Sequence, residues 1–86
     1  MKITGKQKKE IKDIIFKNFY FVEIETINDS SSLYADLDFD VLDLIDLMMR
    51  IESHFGITIP SSYWEDVETV ENIYKIVNDW LQPNST

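Results

Sequence analysis

Apolar residues recur at helical spacing in three stretches of the chain. Ile11, Ile14, Ile15 and Phe19 predict a first helix from about Gly5 to Phe19, and Thr4 with Gln7 has the spacing of a capping box at its start. Leu44, Leu47, Met48, Ile51 and Phe55 form the stripe of a second helix. Asp40 is its expected N-cap, accepting from the free backbone N–H of Leu42 or Asp43. Phe39 and Leu44 stand where a hydrophobic staple has its two residues, Asp43 suits the positive end of the helix dipole, and Gly56 is the expected left-handed stop. Val70, Ile73, Ile76, Val77, Trp80 and Leu81 give the buried face of a last helix, from Val70 to Leu81 behind Thr69, with Tyr74 at its edge. Ahead of it, Ile57 and Ile59 alternate with Thr58 into Pro60, and Ser62 with Glu65 predicts a capped short helix to Asp66. Its Trp64 is expected to cover the core. Three longer helices and one short one predict an all-α fold, a small four-helix bundle.

Between the first two helices the pattern is irregular. Tyr20–Ile27 holds strand-like residues with no evident pairing partner, and is expected to be the end of the first helix followed by an extended segment. Asn28-Asp29-Ser30-Ser31-Ser32 is a turn cluster that opens a loop over residues 28–40. Leu33 and Leu37, and with them Tyr34, are expected to pin this loop to the core.

The second helix carries more apolar surface than one core contact needs. Leu42, Ile45 and Met49 form a further stripe, interleaved with Asp43, Asp46 and Glu52. A second core contact and a partner surface both explain it: a helix crossed by two others buries two stripes, and apolar anchors ringed by carboxylates suit a basic partner.

Composition narrows the possibilities. The 86 residues suit a single domain; 44% are hydrophobic and 13% aromatic, which supports a folded core rather than an acidic disordered tail. With no cysteine there is no disulfide, thiolate metal site or cysteine nucleophile. No apolar run reaches membrane-spanning length, so membrane insertion is not expected. The N-terminal Met-Lys-Ile-Thr-Gly-Lys is basic but lacks the apolar core of a secretory signal, so a soluble cytoplasmic protein is expected. The net charge of −8 disfavours nucleic acid and favours partners with basic patches. Lys2, Lys6, Lys8, Lys9, Lys12 and Lys17 crowd the first segment, where they read as a solvated helix face.

Candidate chemistry is sparse. Asp36-x-Asp38-x-Asp40 opens like a calcium loop, but its sixth and twelfth positions hold Val41 and Leu47 where glycine and glutamate are needed, which excludes an EF-hand. His54, the single histidine, falls in the last turn of the second helix and reads as a surface residue. No nucleophile–base–orienter set and no glycine-rich phosphate loop is present, so an enzyme is not expected.

The run Ser32-Leu33, Asp36-Leu37, Asp40-Val41-Leu42-Asp43, Ile45-Asp46-Leu47, Ile51-Glu52, Phe55, Ile57-Thr58-Ile59-Pro60 and Thr69-Val70 resembles the acyl carrier proteins from about Ile11 to Leu81. The resemblance implies their helical bundle as one domain over residues 1–82, with a disordered tail at 83–86. It also implies a carrier of acyl groups held on 4′-phosphopantetheine, which the family joins to the serine of an Asp-Ser-Leu motif. That motif is Asp40-Val41-Leu42 here. Valine has no oxygen to esterify, so no such group is possible at Val41, and Ser30, Ser31 and Ser32 lie too far ahead of the helix to replace it. Asp40, Asp43, Asp46 and Glu52 match the family's acidic docking positions, and Leu42, Ile45 and Met49 the apolar ones. The implied partners are basic-patched biosynthetic enzymes, namely phosphopantetheinyl transferase and acyl transferases or synthases, met by a monomer. Two aromatics at Tyr63-Trp64 depart from the small or acidic residues usual there. Two readings follow: a carrier whose attachment serine has been replaced, or an interaction module that uses the carrier fold without a prosthetic group. Fatty acid, polyketide, peptide and envelope-acylation pathways all remain open.

Overall fold

The computed structural model describes residues 3–22 and 27–81. The expected tail at 83–86 and the middle of the expected extended segment, 23–26, lie outside them. Four helices are present among the described residues, and no strand: α1 (Gly5–Asn18), α2 (Val41–Phe55), a 3-10 helix (Ser61–Asp66) and α3 (Val70–Leu81).

Local sequence closes each long helix at its start. Gln7 N donates to Thr4 Oγ1 at 3.1 Å while Thr4 N donates to Gln7 Oε1 at 2.9 Å, which satisfies reciprocal donors at the head of α1. The helix ends one residue short of Phe19, whose N–H bonds back to Ile15 O. At α3 the same device uses asparagine: Thr69 N donates to Asn72 Oδ1 and Asn72 N to Thr69 Oγ1. At the end of α2, Gly56 adopts φ 67°, a left-handed conformation that glycine enters without steric cost.

Expectation fails at the short helix. It begins at Ser61 rather than Ser62, and no side chain caps it. Pro60 takes the preceding position with φ −56°, and Tyr63 N bonds Pro60 O at 3.0 Å, closing a three-residue turn directly on the proline carbonyl.

The core gathers one face from each long helix: Ile11 and Ile15, then Leu47, Met48 and Ile51, then Ile73 and Val77, all without exposed surface. Phe19 and Phe39 add a tilted ring pair at 4.7 Å, and Phe39 and Leu44 are both buried as a staple requires. Phe55, expected in the core, is only partly buried: it closes the C-terminal turn of α2, packed against the core from its edge. Trp64 is partly buried against the core, as a cover should be. Antiparallel packing of α1 and α2 follows from two side-chain links: Arg50 Nη1 donates to Asn18 Oδ1 at 2.8 Å, and Glu10 meets His54 further along α2.

The loop that opens at Asn28 is tied to α3. Leu33 N donates to Glu68 O, Val70 N to Ser31 O and Glu71 N to Asp29 O, with Ser32 and Thr69 paired as an isolated antiparallel bridge. Leu33 and Leu37 are buried as expected, whereas Tyr34 turns outward. This strap lies near Tyr74, which is buried rather than at the edge of α3. Burial first, then the charge of Asp29, push the Tyr74 phenol above its ordinary pKa. The folded chain therefore holds a proton that the unfolded chain releases above about pH 10, so stability is expected to fall as pH rises past that value. Urea midpoints of the native chain and Tyr74→Phe, compared across the alkaline range, check this: the variant should show a shallower loss.

Candidate functional site

The head of α2 is built to present a side chain. Buried Leu33, Leu37 and Phe39 anchor the approaching loop, and Asp38 reverses it with φ 58°, a left-handed conformation that aspartate tolerates better than most residues. Asp43 N donates to Asp40 Oδ1 at 2.8 Å and Asp40 N to Asp43 Oδ2 at 3.0 Å, so a capping box fixes the first turn. Val41, the first helical residue, stands at this corner with 64% of its surface exposed.

The second apolar stripe of α2 is not used by the core. Leu42 is 74%, Met49 57% and Ile45 37% exposed. At 3.6 residues per turn these three and Val41 share an arc of about 100°. The carboxylates around them are held by the chain itself, a feature only partly legible beforehand. Asp40 and Asp43 bind one another's backbone. Asp46 pairs with Arg50 at 2.9 Å, an i,i+4 contact on the exposed surface. Glu52 Oε2 accepts from Ile59 N at 2.6 Å, which ties the chain after Gly56 back onto the helix. Asp46 is the most exposed of the three acids expected to lie along the body of α2; Asp43 and Glu52 are half-buried.

A cleft of about 650 Å³ opens between the head of α2 and the 3-10 helix, with Val41 and Ile45 on one side, Ser61, Ser62 and Trp64 on the other, and Tyr34 at its rim. Trp64 Nε1 is buried with no hydrogen-bond partner among the described residues. Ser61 and Ser62 line the cleft from a different element, the 3-10 helix, whose start has no side-chain cap of the kind that fixes the turn at Val41. His54 is remote from this corner, at the far end of α2, where Nε2 lies 2.6 Å from Glu10 Oε2 and links α2 to α1. No group of three metal-ligating side chains occurs among the described residues.

Residues 10–77 match the family described as a phosphopantetheine attachment site. The chain is 38% identical over 73 residues to an acyl carrier protein of Petrotoga mobilis, covering 85% of each chain. This chain belongs to the acyl carrier protein family. It is also 36% identical over 61 residues to the acyl carrier protein of Lactobacillus acidophilus, covering 71% of this chain and 75% of that one. Against an acyl carrier protein of Brachyspira hyodysenteriae it is 31% identical over 70 residues, covering 81% and 90%. Acyl carrier proteins are carriers and not enzymes, and this chain is no enzyme. The family's group is 4′-phosphopantetheine, which needs a hydroxyl for its attachment. The side chain presented at the head of α2 does not fit that requirement: Val41 ends in two methyl groups.

Proposed function

We propose that this protein is an acyl carrier protein fixed in its unloaded form, a cytoplasmic monomer that presents the acidic, apolar-striped face of α2 to biosynthetic enzymes while Val41 stands in place of the attachment serine. The observation that carries this reading is the exposed corner of α2. The flanking Asp40, Leu42 and Asp43 keep the family's pattern, the capping box holds the first turn, and the side chain between them faces solvent. Leu42, Ile45 and Met49 supply apolar anchors; Asp40, Asp43, Asp46 and Glu52 supply negative charge around them. Such a surface suits a partner with a basic patch and an apolar centre, such as a phosphopantetheinyl transferase, an acyl transferase or a synthase.

One observation favours the second reading, an interaction module that needs no prosthetic group. Trp64 brings a large aromatic ring to the cleft beside Val41, where the resemblance leads one to expect a small or acidic side chain in the 3-10 segment. The two readings share the docking face and differ in whether the parent protein ever carried a group.

The docking face is tested by reversing an exposed acid on the body of α2. Asp46→Lys is expected to slow association with a basic-patched transferase about tenfold at low salt, and the difference should shrink as salt screens the field. Stopped-flow or surface-binding kinetics at two ionic strengths measure it. Equal association rates at low salt would remove α2 as the docking element.

A further inference from the structure

We infer that this chain occupies the carrier-binding surface of the enzyme that loads serine-bearing members of the family, and leaves it unconsumed, so that it acts as a competitive brake on loading. This depends on Val41 standing at the attachment position. An enzyme that joins a group to the first residue of a capped helix must recognise the turn around that residue. Here the turn is complete: Asp40 and Asp43 lock it, and Val41 projects from it into solvent.

Within the turn Asp40-Val41-Leu42-Asp43, what has changed is the acceptor. A valine side chain has one more heavy atom than serine and the same branching position for its first substituent. At an exposed helix start it adds little volume for an enzyme to exclude. Its methyl groups extend the exposed apolar arc of Ile45, Met49 and Leu42 to the very corner of the helix. The net charge of −8 still draws the chain toward a basic surface. Recognition is therefore kept, and the loss is confined to the oxygen that would take the phosphoryl group. With no oxygen there, no bond can form or break, and the complex can only dissociate. The occupant suited to this face is thus a basic enzyme surface that ends at a group-transfer centre.

The Val41→Ser variant supplies the matched substrate, because its fold and docking face are otherwise those of the native chain. Its loading by a phosphopantetheinyl transferase and coenzyme A is followed by intact mass in the presence of increasing native chain. The native chain should slow loading competitively, with an inhibition constant within about tenfold of the KM for Val41→Ser. Native chain that also carries Asp46→Lys and Met49→Glu should inhibit at least about tenfold more weakly. If Val41→Ser is loaded and a hundredfold excess of native chain leaves the rate unchanged, the brake is overturned while the carrier reading stands. Inhibition that the double change leaves intact also overturns it, since α2 would not be the contact. If no transferase loads Val41→Ser, the carrier reading fails and this inference fails with it.

Discussion

Ile51→Ala is expected to destabilise the protein by about 2–5 kcal/mol. Ile51 has no exposed surface and lies on the same buried stripe as Leu47 and Met48, within the core that α1 and α3 complete. Truncation removes buried methyl and methylene groups and leaves a cavity that close-packed neighbours fill only in part. A domain of this size has a total stability of about 4–13 kcal/mol, so the loss is a large fraction of the whole. Urea unfolding should show a lower midpoint with little change in slope. On the opposite face of the same helix, Leu42→Ala should shift stability by no more than about 0.5 kcal/mol, because Leu42 gains little burial on folding. Equal losses at the two positions would mean that the phase of α2 is wrong.

Val41→Ser is expected to have the largest functional effect of any single change: from no loading to one phosphopantetheine per chain. Its structural effect should be small. Position 41 is the first residue of α2, so a β-branched side chain crowds no preceding turn and its removal relieves nothing. The residue is mostly exposed, and exchanging an exposed methyl pair for a hydroxyl should change stability by less than about 1 kcal/mol. The loading change therefore reads the chemistry of position 41 rather than the folding of the helix that bears it.

Features set by neighbours in sequence were legible in the sequence. The Thr4–Gln7 box, the Asp40 N-cap and the Gly56 stop each lie within a few residues, and local spacing specifies them. The stripe through Leu44, Leu47, Met48 and Ile51 was equally plain, and so was the family to which its motifs point. Long-range contacts were not. Tyr74 reads as an edge residue until the loop around Asp29 and Ser31 is known to bond to the start of α3. The Glu52 carboxylate looks free until Gly56 turns the chain and brings the Ile59 N–H to it. Nor does spacing say whether Leu42, Ile45 and Met49 meet a second helix or solvent. That depends on where α1 and the 3-10 helix lie around α2.

The account turns on the side chain at position 41, and intact mass measures its chemistry directly. The native chain and Val41→Ser are incubated in parallel with coenzyme A and a phosphopantetheinyl transferase. The account predicts an unchanged mass for the native chain and the addition of one phosphopantetheine for the variant. A native chain that gains the group, or a variant that gains none with any of several transferases, would contradict it.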